Sequence, residues 1–338
     1  MSYSNPIDGF VVDRSTIEYV GEGLQRPECI LAEPNGALWA ADARGGVVRI
    51  APDGTQTVVT QTDSGAFARA QSDAERFTTG TLPNGIAFAA NGDILVSNFG
   101  TDRLEVMTRD GATRILADTL DGQPIGKVNF VLRDSKDRLW VTVSTRIKDW
   151  SKAIDPNVAD GYVALYDRGQ FRIVADGFAF TNEVRLDANE EWLYVVETCA
   201  CRVTRLRVAA DGSLSDREIY GPRDHGAMID GIAFDSFGNL WGTHVFSDRI
   251  FAITPQGDLR ILLDDGNPYA TRKLMEAFRK GRATYEHMQP CGGVIAPWFA
   301  SVTFGGPDLR TVYIGSLRGT RIPYFRSPVA GLALEHWR

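Results

Sequence analysis

A chain of 338 residues, 43% hydrophobic and 23% charged, has the make-up of a globular protein large enough to bury a substantial core. Its net charge of -7 and pI near 5.3, with no basic run, argue against nucleic acid or an anionic membrane surface as partner. No stretch approaches the roughly 20 consecutive apolar residues that span a bilayer.

In chain order, Met1–Asp8 lacks a basic region followed by an apolar one, so no secretory signal is read and the cytoplasm is the expected compartment. A lone strand is expected near Thr16–Val20. A polar residue, a turn signal and an apolar strand then recur at a fixed spacing. Glu28 is followed by Asn35-Gly36 and Leu38-Trp39; Asn84 by Asn91-Gly92 and Ile94-Leu95; Asn129 by Lys136-Asp137 and Leu139-Trp140. Asn182 is followed by Asn189-Glu190 and Leu193-Tyr194, and Asp230 by Gly238-Asn239 and Leu240-Trp241. A weaker sixth copy sets Ala300 ahead of Val312-Tyr313. Each of the first five units carries a second, later turn: Pro52-Asp53-Gly54, Arg109-Asp110-Gly111, Asp167-Arg168-Gly169, Ala210-Asp211-Gly212 and Pro255-Gln256-Gly257. Turns of this type between alternating runs mark hairpins.

Each unit therefore reads as four short antiparallel strands, over about 24–60, 80–118, 126–176, 178–220, 227–264 and 292–334. Six such units predict an all-β fold, a six-bladed β-propeller in one domain over 1–338. The Thr16–Val20 strand is expected to pair into the last unit and close the ring. Three insertions exceed the repeat, at about 61–80, 146–161 and 265–292. The last is expected to carry a helix over Tyr269–Lys280, between blades 5 and 6, with Leu274, Ala277 and Phe278 on one face. Long insertions on a regular scaffold read as lids, or else as surface excursions or a homodimer contact. Four cysteines (Cys29, Cys199, Cys201, Cys291) are too few for a disulfide framework. Trp39, Trp140 and Trp241 read as packing between blades, and Trp298 with Phe299 as an apolar pocket wall. His244 could act as acid or base, though a single histidine is more often structural; His225 lies in a loop that could reach the channel mouth; His287 and His336 carry no signal.

Several pieces, in their order and spacing, resemble the gluconolactonase, regucalcin (senescence marker protein) and luciferin-regenerating-enzyme family. They are Pro27-Glu28, Lys127-Val128-Asn129, Thr181-Asn182-Glu183, Ile229 to Ala233 and Ser301 to Gly306. The resemblance covers about 25–334. It implies a six-bladed propeller with one divalent cation in its channel, held at Glu28, Asn182 and Asp230, with Asn129 beside it touching substrate or water. It also implies hydrolysis of a lactone or related cyclic ester. Lys127 stands where the family often has arginine, Phe130 where it has a carboxylate, and Glu183 where it has glycine. Those changes point away from a sugar-acid lactone and toward a less polar one.

The residues give their own chemistry. Glu28, Asn129, Asn182 and Asp230 offer only oxygen, which suits Ca2+ first, with Mg2+, Mn2+ or Zn2+ as alternatives. A divalent cation with open positions polarises an ester carbonyl and activates water. Asp230 is the expected base, with Glu183 the competing candidate for that role; Asn84, Asn129, Lys127 and Phe130 are the expected substrate contacts. Read singly, Pro83-Asn84-Gly85 and Ile229-Asp230-Gly231 are turn signals; their shared register is what makes them site residues. There is no Gly-x-Ser-x-Gly elbow, phosphate loop or zinc-protease helix. Other metal-dependent chemistry on the same scaffold and a non-enzymatic ligand-binding propeller are the alternatives.

Overall fold

The computed structural model describes residues 4–61, 69 and 81–338. The insertion expected at 61–80 lies outside them apart from Gln61 and Arg69. The strands are short runs rich in Val, Ile and Leu, each ended by a tight turn, and they build six four-stranded antiparallel sheets. Blade 1 is Ile30–Ala32, Leu38–Asp42, Gly46–Ile50 and Gln56–Thr60. Blade 2 is Pro83–Phe88, Ile94–Asn98, Arg103–Met107 and Thr113–Ala117. Blade 3 is Val128–Arg133, Leu139–Val143, Gly161–Asp167 and Gln170–Phe178. Blade 4 is Thr181–Leu186, Trp192–Glu197, Arg202–Val208 and Leu214–Tyr220. Blade 5 is Ile229–Phe234, Leu240–His244, Arg249–Ile253 and Leu259–Asp264. Blade 6 joins Phe299–Gly305, Thr311–Ser316 and Ile322–Arg326 to the N-terminal strand Glu18–Val20.

This is the six-bladed propeller. The N-terminal strand closes the ring as expected, with Glu18 opposite Tyr324 and Val20 opposite Ile322, so that blade 6 has its fourth strand and no gap exposes an edge. The first strand of every blade lines the central channel and is almost wholly buried, whereas outer strands such as Gln56–Thr60 are mostly exposed. Hydroxyls join one blade to the next. Ser144 Oγ donates to Thr181 O (2.9 Å), Thr198 Oγ1 to Ile229 O (2.7 Å) and, across the closure, Ser301 Oγ to Glu28 O (2.6 Å). The second-strand tryptophans pack between blades: Trp39 meets Phe88 edge-on and Trp241 meets Phe304. Each indole N–H is satisfied by an acid in the preceding turn, Glu33, Asp134 or Asp235.

The insertions pack over the channel end at which the inner strands begin. The 265–292 segment forms α1 (Pro268–Arg279) and α2 (Tyr285–Met288). The α1 helix lies one residue from its expected bounds at each end. Asn267 caps it, accepting from Ala270 N (3.2 Å), and Pro268 opens it where its missing N–H is not needed. Its Leu274, Met275 and Phe278 join Ile154, Phe246 and Trp298 in one buried apolar cluster. The 146–161 segment contributes a short 3-10 turn, Trp150–Ala153, to the same cluster. All four cysteines are free and buried. Among the described residues no helix is long and apolar enough to cross a membrane.

Candidate active site

The recurring polar residues enter the channel at one level. Asn84, Asn129, Asn182 and Asp230 are each the second residue of an inner strand, and Glu28 lies two residues ahead of its own. At that level the ladder to the neighbouring strand slips in five blades. The shifts fall between Pro83 and Ile86, Val128 and Phe130, Thr181 and Val184, Ile229 and Ile232, and Phe299 and Val302. A bulge bends its strand and re-aims a side chain. Asn84-Gly85 and Asp230-Gly231 are thus strand residues, not turns. A Cβ on Gly85 would lie 2.7 Å from Phe130 Cα, and one on Gly231 would lie 2.5 Å from Ala300 O. Glycine is required there because adjacent inner strands approach so closely.

Arg26, Glu28, Asn84, Asn129, Asn182 and Asp230 form the floor of a pocket. Asn84 Nδ2 donates to Glu28 Oε1 (3.0 Å) and Asn129 O (3.1 Å), and its Oδ1 accepts from Arg26 Nη2 (2.6 Å). Asn182 Nδ2 donates to Thr198 Oγ1 (3.1 Å), and the Asn182 side chain also hydrogen-bonds Asp230. These bonds turn the amide donors inward to the protein and leave acceptors facing the pocket. Glu28 Oε2, Asn129 Oδ1 and Asn182 Oδ1 are buried and accept no hydrogen bond from any described residue. Unpartnered buried oxygens are costly, and native structures rarely leave them so.

Burial lifts the Glu28 carboxyl well above the usual carboxylate range and pushes Asp230 up to about 8; the Asp230 charge adds to the rise at Glu28, the Glu183 charge adds to the rise at both, and Arg26 opposes it. Burial likewise works against the charge on Arg26, while Glu28 and Asp230 sustain it. Two carboxylates gathered with amide oxygens around a low-dielectric pocket fit a hard divalent cation: Glu28 Oε2, Asn129 Oδ1 and Asn182 Oδ1 are all acceptors, and the two carboxylates face the single guanidinium of Arg26. Among the described residues no three His, Cys, Asp or Glu side chains gather as a metal-binding group. The fit therefore depends on the asparagine oxygens.

Other expected residues sit elsewhere. Lys127 is buried, paired with Asp102 (2.8 Å) and donating to Phe99 O (3.3 Å), and does not line the pocket. Phe130 lies below the floor, under the Arg185 guanidinium (4.5 Å). Glu183 also lies behind the floor. Its Oε2 is 3.0 Å from Arg185 and accepts from Ile232 N (3.2 Å), and burial raises its pKa to about 7. Trp298 does not reach the pocket; it packs on Phe246, which does (4.9 Å). Phe299 belongs to the core between blades 5 and 6. His225 and His244 pair with each other (3.1 Å) beside Phe251.

Sequence reasoning missed Arg26 and the pocket walls. Leu82, Phe99, Phe180, Val245 and Phe246 rise from the loops around the floor, and Trp150 and Ile154 come from the 146–161 insertion. Arg26 (φ 57°), Phe180 (φ 58°) and Phe246 (φ 63°) all have left-handed backbone, and the first two stand two places ahead of Glu28 and Asn182. Such conformations cost a bulky residue roughly 1–3 kcal/mol and are retained where surrounding structure enforces them. The only available signal was that spacing, which means little until the channel is known.

Comparison with known proteins agrees with this architecture. A family model described as the SMP-30/Gluconolactonase/LRE-like region matches residues 27–264. A 6-deoxy-6-sulfogluconolactonase of Pseudomonas putida is 26% identical over 152 residues, 44% of this chain and 42% of that protein, so the match spans less than half of the relative. A solved gluconolactonase of Xanthomonas campestris superposes with a TM-score of 0.66 at 16% identity, over 95% of this chain and 94% of its own. Regucalcin of Agrobacterium tumefaciens, described as a calcium-binding protein, does so with a TM-score of 0.67 at 14% identity, over 95% and 98%.

Proposed function

The chain belongs to the SMP-30/gluconolactonase/LRE-like family, and from that premise and the channel floor we propose that it is a divalent-cation-dependent lactone hydrolase. The observation that carries the reading is the convergence of Glu28 Oε2, Asn129 Oδ1 and Asn182 Oδ1, buried and unpartnered, with Asp230 in one pocket. Glu28 and Asp230 would neutralise the cation, and Asn129 and Asn182 would fill coordination without further charge. Ca2+ is the first choice, on the all-oxygen donor set and on regucalcin's description. When bound, the cation supplies Lewis-acid polarisation of the ester carbonyl.

Asp230 aligns the attacking water, takes its proton and returns it to the ring oxygen as the ester C–O bond breaks. Glu183 is the weaker candidate because it sits behind Gly231, engaged by Arg185 and the Ile232 N–H, outside the pocket. Asn84 holds Glu28 and Arg26 in fixed positions through both ends of its amide. Arg26 faces the negative charge that develops on the carbonyl oxygen and steadies it in the carboxylate product. The apolar walls keep bulk water from the floor and strengthen each of these interactions.

The test is a panel of lactones assayed with purified protein before and after chelation, then after refilling with Ca2+, Mg2+, Mn2+ or Zn2+. Lactone hydrolysis that chelator abolishes and one of these ions restores supports the proposal. Hydrolysis indifferent to chelator removes the cation from it, and cation binding without any lactone turnover directs the site to other chemistry.

A further inference from the structure

The mouth of the pocket specifies what the ring must carry. Above the floor its walls are apolar on every side: Leu82, Phe99 and Phe180 from one arc, Val245, Phe246 and Leu317 from another. Trp150 and Ile154 roof it from the insertion, with Trp150 packed against Phe99 (6.3 Å). The polar pocket residue outside the floor, Thr198, already spends its hydroxyl on Ile229 O (2.7 Å) and accepts from Asn182. The left-handed backbone at Phe180 and Phe246 shows that aromatic rings are held here against local preference. Behind them α1 and Trp298 pack the wall so that it cannot fold away.

We propose that the substrate is a lactone bearing an apolar substituent, alkyl or aryl, and not a polyhydroxylated sugar lactone. The inference rests on the lactonase reading above. The ester meets Arg26, Asp230 and the cation at the floor, and the substituent fills the mouth. A sugar ring in the same place would bury several hydroxyls against carbon. Each unmatched hydroxyl lowers affinity about tenfold or more. An alkyl group gains instead, up to about fourfold per methylene buried.

The experiment uses the full chain loaded with cation. It compares kcat/KM for glucono-δ-lactone, γ-butyrolactone, its γ-alkyl homologues up to a hexyl substituent, and a phenyl-substituted member. The expected result is a rise of about two- to fourfold per methylene over the first several carbons, carried mostly by KM, with the sugar lactone at the bottom. Trp150→Ala and Leu317→Ala, both at half-buried positions, flatten that slope. A flat series, or a sugar lactone that outpaces the hexyl compound, overturns the proposal and leaves the lactonase reading standing. A parallel arm follows the melting temperature with the corresponding γ-lactams, which resist hydrolysis. Stabilisation that grows with alkyl length in a protein that opens no lactone upholds the apolar ligand and ends the lactonase reading. Neither turnover nor stabilisation overturns both.

Discussion

Replacing Glu28 by Gln should stabilise the cation-free protein while abolishing its response to the cation. Burial and the Asp230 charge lift the Glu28 carboxyl well above its ordinary 4.5. Above about pH 4.5 the unfolded chain ionises Glu28, whereas the cation-free fold holds the proton to higher pH. A folded state that binds the extra proton is fully stable only below about pH 4.5 and loses stability as pH rises from there toward the folded pKa. Each pH unit between those two values costs up to about 1.36 kcal/mol. Gln accepts the same Asn84 Nδ2 bond (3.0 Å in the parent) and needs no proton, so it recovers up to that amount. A chain of 338 residues unfolds with an entropy of about 0.7 kcal/mol/K, so the gain is up to about 2 °C in Tm for each pH unit climbed toward the folded pKa and fades below about pH 4.5. The cation acts the other way: at about a hundred times its Kd it adds about 2.7 kcal/mol, or about 4 °C, to the parent and nothing to the variant. Calorimetric melts in chelator and in excess Ca2+, near pH 5 and near pH 7.5, measure both effects. A Gln variant that melts below the parent in chelator near pH 7.5, or that keeps the cation shift, would refute the reasoning.

Asp230→Asn should lower kcat by about 10²- to 10⁴-fold with the circular-dichroism spectrum unchanged, measured on whichever lactone the panel finds best. Arg185→Met strands the buried Glu183 carboxylate and should cost about 3–5 kcal/mol in urea titrations, most of it recovered by adding Glu183→Gln. Gly231→Ala drives a Cβ to 2.5 Å from Ala300 O, so the inner strands of blades 5 and 6 must separate. It should destabilise by roughly 1–3 kcal/mol and lower activity through the displaced Asp230, seen in paired melts and rates. Deleting residues 4–20 removes the fourth strand of blade 6, and light scattering should then report concentration-dependent aggregation from the bared edge of Ile322–Arg326.

The blades were legible because their determinants are local. An Asp-Gly turn and the alternating run beside it, such as Gln56–Val59 after Asp53-Gly54, need no distant partner to be recognised. The α1 helix was legible for the same reason, since its apolar face is written at i, i+3 and i+4. Lys127 misled because its capture by Asp102 crosses from blade 3 to the loop after the second strand of blade 2, and nothing near Lys127 announces that partner. The wall residues were hidden more deeply. Phe180 and Phe246 face the pocket by way of left-handed backbone, and Trp150 and Ile154 arrive on an insertion whose fold depends on α1 packing behind it.

Glu183 and Asn182 show where a register signal stops. The repeat says which level of the channel a residue occupies, but successive strand residues point to opposite sides, so neighbours cannot both enter the pocket. Which one enters is decided by the ladder slip between Thr181 and Val184, which sends Asn182 to the floor and Glu183 back toward Arg185 and the Ile232 N–H. Comparable slips stand at Asn84, Asn129 and Asp230. Removing one would shift that strand by a residue and turn its oxygen out of the channel. The number of oxygens offered to the proposed cation is therefore set by backbone irregularities, which arise from how inner strands crowd one another around the ring and leave in the sequence only glycines such as Gly85 and Gly231, which read locally as turns.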